Sequence, residues 1–429
     1  MKNPIGLGLA VAATASLAFA HGEGVGKKDG KDSPSSTENL FQEDGLKISY
    51  KPGSGVTFDG GDDYSLNFSG RIQAKWFFSN FEEGEDLNSF AARRARTRFR
   101  GHVFNRDVTY YLQMEHTGGT SIKDAAVGWQ FWTDEQVFAN LALGLRKFRS
   151  GLQADQSSSR LEFPERSLAT RTFADSRATG AMVEGGLGEA EDGTNTFFWH
   201  VGAVNNDTAR GSVAVGEERL NRTNKINWIL GLHWDPQGEI GDQTHWEGDL
   251  DHSGEFKSTW GAFFTLGQDS PGGTDYTTFT INAHGSTKLG NGLAFQGEFW
   301  YRSDDPDVSG ATDTSSMGWY LQGSWTSAPG EGTQWGIPIR VSMVDIGDDG
   351  TTLLNPIGSI NGGSFGTFAG ANTPWSGSGT VLEAQIGLGA YYYGHKLKSQ
   401  LAYTYQDVDT DVGTDTTNHG VDLMFTLLF

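Results

Sequence analysis

From Gly45 onward the chain alternates apolar and polar residues with a period of two, and helical periodicity is almost absent. Leu66, Phe68, Gly70, Ile72, Ala74, Trp76 and Phe78 share one face, with Asn67, Ser69, Arg71, Gln73 and Lys75 on the other. Ile226, Trp228, Leu230, Leu232 and Trp234 repeat the pattern, and so do Val421, Leu423, Phe425, Leu427 and Phe429 at the C-terminus. Strands are predicted at 65–78, 90–104, 106–116, 123–132, 138–147, 178–186, 195–204, 224–234, 257–267, 275–287, 291–302, 316–326, 335–345, 381–393, 396–406 and 417–429. That is an even sixteen, mostly nine to thirteen residues long, and about ten tilted residues cross a bilayer. Aromatics close the apolar faces, as expected where a strand leaves lipid. A soluble sandwich or propeller also alternates, but needs no such aromatic ends. The pattern predicts an all-β fold, a 16-stranded antiparallel transmembrane β-barrel.

The connections obey the same plan. If both termini are periplasmic, every second connection should be short. Asn105, Lys288-Leu289-Gly290 and Gly394-His395 comply, while 235–256 is a long exception. The other set is longer and acidic, with Glu82, Glu83, Glu85 and Asp86, then Asp304, Asp305 and Asp307, then Asp407, Asp409, Asp411 and Asp415. The connection 148–177 stands apart, with Arg149, Arg160, Arg166, Arg171 and Arg177 against Asp155, Glu162, Glu165 and Asp175. A connection of that length after the fifth strand can fold inward and narrow a large barrel.

Before the barrel, Met1-Lys2-Asn3, an apolar Ile5–Leu17 stretch and Ala18-Phe19-Ala20 read as a signal peptide cleaved after Ala20. The expected organisation is thus a signal peptide over 1–20, a short flexible periplasmic segment over 21–62, and an outer-membrane barrel over 63–429. Export places the protein in the outer membrane of a Gram-negative-type bacterium, in contact with lipid and lipopolysaccharide.

Composition narrows the function. A formal charge of −21 makes nucleic acid an unexpected partner. With mean hydropathy −0.44, the chain is no helical membrane protein. The absence of cysteine excludes a disulfide scaffold and a Cys-based zinc site. Gly at 60 of 429 residues suits a chain with many turns. Asp407-x-Asp409-x-Asp411-x-Gly413-x-Asp415 fails as an EF-hand loop, since Gly is seventh and Asn418 twelfth, so no metal site is expected.

The strongest chemical signal is on the second strand. Arg94, Arg96, Arg98 and Arg100 sit at every second position, followed by His102, with Ala95, Thr97, Phe99, Gly101 and Val103 opposite. A strand spaces such guanidiniums about 6.6 Å apart. Facing lipid, each would cost about 2–4 kcal/mol at the midplane, so the row must face the lumen. There it attracts anions, and guanidinium geometry suits phosphate oxygens. Parity also places Arg71, Lys75, Lys225, Arg302, Arg340, Lys396 and Lys398 inside, while Arg93 has the wrong parity and belongs near the rim or at a bulge. The alternative is that these cations pair with luminal acids such as Glu115 and Glu298 as structural ladders.

From about Tyr64 to Phe429 the chain resembles the phosphate-selective porins O and P, most densely over 64–186. Phe68-Ser69-Gly70-Arg71-Ile72-Gln73-Ala74 is similar to the family's first strand, and Arg93-Arg94-Ala95 with Phe99-x-Gly101 to its second. Gly151-Leu152 and Glu165-Arg166-Ser167-Leu168 resemble the constriction loop. The resemblance implies a homotrimeric channel whose third loop folds into the lumen, and it implies that Arg93, Arg94, Ser157 and Arg166 are anion ligands. Asp124 matches the family's acid at the start of the fourth strand. Parity puts Asp124 inside and Lys123 outside, because Ala125, Val127, Trp129 and Phe131 mark the lipid face. One departure matters: the Lys that phosphate-selective members carry after the Gly-Leu step is absent, and Gln153-Ala154-Asp155 stands there.

The expected function is passive diffusion of small anions, phosphate or polyphosphate being the candidates, through an arginine-lined lumen. The alternative is a general or sugar-selective porin without anion preference. No catalysis is expected, because His102 and His116 come with no nucleophile signature. No cofactor is needed. A merely structural or adhesive barrel closed by the 346–380 connection, with Phe365, Phe368 and Trp375, is a further rival.

Overall fold

The computed structural model describes residues 37–43, 45–82, 86–134, 137–147, 150–174, 177–188, 196–205, 213–214, 225–237, 247–269, 275–307, 309, 313–347, 379–410 and 415–429. The expected signal peptide, the first part of the expected lead segment and the 348–378 stretch lie outside them.

Three short strands come first, β1 (Glu38–Glu43), β2 (Leu46–Lys51) and β3 (Gly55–Asp59). The described part of the segment expected to be flexible is therefore an antiparallel meander, and β3 pairs with the start of β4 through Val56↔Phe68 to Asp59↔Ser65. The barrel runs through β4 (Ser65–Phe81), β5 (Leu87–Val103), β6 (Asn105–Glu115), β7 (Ser121–Thr133), β8 (Val137–Lys147), β9 (Arg177–Leu187) and β10 (Phe197–Asn205). After β11 (Val213–Ala214), a two-residue pairing with β7, it continues through β12 (Ile226–Trp234), β13 (Lys257–Asp269), β14 (Tyr276–Lys288) and β15 (Leu293–Pro306). It ends with β16 (Thr314–Thr326), β17 (Gln334–Ile346), β18 (Gly379–Tyr391), β19 (Leu397–Thr410) and β20 (Thr416–Leu428).

Neighbours along this order pair antiparallel, β10 pairs directly with β12, and β20 returns to β4 from Asn418↔Phe81 to Leu428↔Arg71. The sheet closes as a 16-stranded barrel, as predicted, and closure leaves no spanning strand with an unpaired edge in lipid. Alternation in sequence becomes alternation in environment: β15 and β16 switch between buried and exposed at nearly every residue. The outward positions are apolar and exposed, among them Trp129, Trp228, Trp260, Phe295, Leu321 and Ile339. The inward positions are polar and buried, among them Arg71, Gln73, Lys75, Glu298, Arg340 and Gln400. The short connection after β5 is Phe104, at φ 70, one residue before the Asn105 expected there.

The connection between β8 and β9 carries two short helices, α1 (Leu152–Asp155) and α2 (Leu168–Phe173). The Ser167 hydroxyl caps α2 by accepting from Thr170 N at 3.1 Å. Leu168 and Phe173 then bury against Trp300, Tyr320, Val344 and Val381, with the Phe173 and Trp300 rings stacked at 6.4 Å. Full burial of two such side chains contributes about 1.5–3 kcal/mol each.

Candidate anion site

Strand β5 presents its arginines as alternation requires, with one interruption. Its pairing with β4 passes from Gln73↔Arg94 to Ala74↔Ala92, so Arg93 is the extra residue of a bulge. A bulge aims two successive side chains to the same side. Arg93 and Arg94 both reach Glu165: Arg93 Nε donates to Oε1 at 2.6 Å and Arg94 Nη2 to Oε2 at 2.9 Å. Lys75 Nζ lies 3.6 Å from the same carboxylate and 3.1 Å from Asp422. Burial would raise the Glu165 carboxyl, but Arg94, Arg93 and Lys75 outweigh it and hold it well below the ordinary value.

Along the row, Arg96 pairs with Glu115, Arg98 Nε donates to Ser69 Oγ at 2.9 Å, and Arg100 Nε donates to Asn67 Oδ1 at 3.3 Å. Arg71 Nη1 donates to Ser157 Oγ at 3.4 Å. Arg166 is held by backbone carbonyls, Nε donating to Gln153 O at 2.8 Å and Nη2 to Gln156 O at 2.7 Å. Burial and the neighbouring Arg94 and Arg177 lower the Arg166 guanidinium to about 10, so it stays cationic at neutral pH. Asp124 turns to Arg177, which donates to it from Nε at 3.0 Å and Nη2 at 3.2 Å, and to Gln113 Nε2 at 2.6 Å.

These groups border a cavity of about 580 Å³. Among the described residues that line it, twelve side chains are basic and one, Asp155, is acidic. Arg71, Arg93, Arg94, Arg96, Arg98, Arg100, Ser157 and Arg166 all line it. Lys75 and Asp124 do not: the first sits behind Glu165, the second behind Arg177.

One expectation is corrected. Lys123, placed outside by parity, lines the cavity with the row. The β6–β7 pairing jumps from Gln113↔Asp124 to Met114↔Ile122, so Lys123 is a bulge residue and parity fails there. Nothing in Ser121–Ala125 marks that bulge. Lys147 and Arg177 also line the cavity and were missed as site residues. Lys147 had a signal, Gly144 inside its strand at φ 119. Across it the alternation breaks, Leu143 being exposed and Leu145 buried, and Lys147 follows Leu145.

The segment 150–174 is tied to inner-face side chains around the barrel. Leu152 N and Gln153 N donate to the Glu298 carboxylate of β15, each at 2.7 Å. Arg340 Nη2 of β17 donates to Glu165 O at 3.0 Å, and its guanidinium lies 4.4 Å from the Phe163 ring centre. Gln400 Nε2 of β19 donates to Leu161 O and Glu162 O, and Gln73 Nε2 of β4 to Ser158 O. Thus Glu298 binds this backbone rather than an arginine of the row, whereas Glu115 does pair with Arg96.

Residues 66–219 match the family described as phosphate-selective porin O and P. The match spans β4–β11 and the segment carrying α1 and α2, which together supply most of the cavity. No curated protein matches the chain. Among solved structures, the anion-selective porin from Comamonas acidovorans superposes with a TM-score of 0.55 at 11% identity, covering 86% of this chain and 100% of the other. OmpT, an outer membrane protein of Vibrio cholerae, gives 0.51 at 10%, covering 85% and 98%. The outer membrane channel DcaP of Acinetobacter baumannii gives 0.50 at 12%, covering 86% and 98%. At such identities the likeness is one of fold. Fold and family match agree on an outer-membrane porin.

Proposed function

We propose that this porin passes small anions passively along the β5 wall, with phosphate as the candidate ligand. The observation that carries the reading is the lining: among the described residues, twelve basic groups against one carboxylate around one cavity. Such an excess of one sign raises the local concentration of counter-ions in a narrow wet passage. Arg71, Arg98 and Arg166 contribute to it, since the hydrogen bonds described for them go to neutral oxygens. Arg93, Arg94 and Arg96 are partly offset by Glu165 and Glu115. Guanidinium forks and the Ser157 hydroxyl suit a tetrahedral oxyanion. The Lys absent after Gly151-Leu152 leaves phosphate a weaker expectation than anion preference itself. The homotrimer, the inward course of the described segment 150–174 and the periplasmic placement of 21–62 belong to the same proposal, the first resting on the family resemblance.

The test is the zero-current potential of the purified protein in a planar bilayer under a KCl gradient, followed by phosphate titration of the chloride current. A chloride-directed potential that weakens in Arg98→Ala supports the reading, and block by dilute phosphate adds the phosphate label. Cation preference, or no preference, would overturn it in favour of a general porin.

A further inference from the structure

We propose that Glu247, on the connection between β12 and β13, positions the cavity-lining segment 153–166; this rests on the anion-channel reading. That connection, 235–256, is the long one at the end of the barrel where Phe104, 289–292 and 392–396 join strands briefly. Its described part is anchored on neighbouring turns: Asp249 Oδ2 accepts from Gly292 N at 2.8 Å, Asp249 O from Thr326 Oγ1 at 2.7 Å, and Leu250 O from Gln334 Nε2 at 2.9 Å.

Two residues before Asp249, the Glu247 side chain turns to the segment between β8 and β9. Only 1% exposed, it accepts at Oε1 from Gln153 Nε2 at 2.6 Å and Gln296 Nε2 at 3.2 Å, and at Oε2 from Glu162 N at 2.5 Å. With the Gln156 amide oriented so that its oxygen accepts from Glu247 N at 2.7 Å, its nitrogen adds a donor to Oε1 at 3.2 Å. Gly248 makes the turn at φ 71, where a Cβ would lie 2.7 Å from Glu162 Oε1. A carboxylate this deep is tolerated because four donors satisfy it, and three of them belong to residues 153–162.

That stretch in turn sets the cations. The carbonyls of Gln153 and Gln156 hold Arg166, and those of Ala154 and Gln156 hold Lys147 Nζ. Glu247 does not line the cavity itself. It acts through Gln153 and Gln156 on the placement of Arg166 and Lys147, and so couples the periplasmic turns to the charge geometry of the passage.

The experiment compares the full-length channel with Glu247→Gln, Glu247→Ala and Asp249→Asn, each shown to fold by heat-dependent gel mobility. Glu247→Gln keeps the volume and puts a donor where donors already point, so it informs even if Glu247→Ala does not fold. Losing one charged acceptor should raise the half-blocking phosphate concentration about tenfold, with maximal chloride conductance within about twofold. Asp249→Asn, which touches the turns and not the segment, should leave half-block within about twofold. Wild-type half-block in Glu247→Gln would overturn the proposal. So would an equal loss in Asp249→Asn, which would make the connection a general structural plug. If wild type shows no anion preference, the channel reading fails separately. The positioning proposal is then decided by tryptic cleavage after Arg160, Arg166 and Arg171 in the folded barrel, with a rate unchanged by Glu247→Gln overturning it.

Discussion

Two walls of this barrel follow the same alternation and turn opposite uses from it. On β4–β9 the inner face gathers basic side chains around open space, with most of the row held by hydroxyls, amides or one acid. On β15–β19 the inner face is just as polar, yet Glu298, Arg340, Lys398 and Gln400 each hydrogen-bond the backbone of the segment 150–174. Polarity inside a barrel is therefore not the same as a passage. A polar wall becomes a pore lining where its charges are in excess, and a docking surface where each has a backbone partner.

The largest break in this contrast should come from the docking wall. Glu298→Ala leaves the N–H groups of Leu152 and Gln153 buried without an acceptor, at about 1–3 kcal/mol each. The segment should detach, seen as rapid tryptic cleavage after Arg160 or Arg166 and as a larger, noisier single-channel conductance. On the lining wall Arg98→Ala should leave the barrel intact and raise the half-blocking phosphate concentration about tenfold, the worth of one charged hydrogen bond.

A smaller effect is expected from pH. Burial, and then Glu247, push the Glu162 carboxyl up to about 7. The folded protein thus holds a proton that the unfolded chain releases near the ordinary carboxylate value, so the packing around Glu162 is strongest below that value and weakens as pH rises through about 7. Lys398, Gln322 and Ser324 also face this carboxyl and favour its charged form. Open-channel noise should grow a few-fold between pH 6 and 8, and Glu162→Gln should abolish that growth. The smallest change sharpens the comparison instead: Glu115→Gln frees Arg96 and should shift the zero-current potential towards chloride by about twofold in permeability ratio.

Strand number, closure and the lipid-facing set were readable because outward and inward residues differ in hydropathy at every second position, from Leu66 to Phe429. The arginine row was readable for the same reason, and even Arg93 was marked by its parity. Lys123 was not, since a bulge in the β6–β7 pairing depends on how two strands register and leaves no trace in Ser121–Ala125. Lys147 was half readable through Gly144. Glu247 was invisible, as it lies in a connection whose partners on the segment between β8 and β9 are 85 to 94 residues away in the chain.

The sequence alone determined a barrel and the sign of its second strand, because both follow from local periodicity and from the cost of charge in lipid. Which charges stay in excess was decided only by the tertiary structure. Glu165 and Glu115 could neutralise any of several arginines, and Glu298 could have joined them. Closure and the docked segment assign Glu165 to Arg93, Arg94 and Lys75, Glu115 to Arg96, and Glu298 to backbone N–H groups, because hydrogen bonds act over about 3 Å and only the folded register sets such distances.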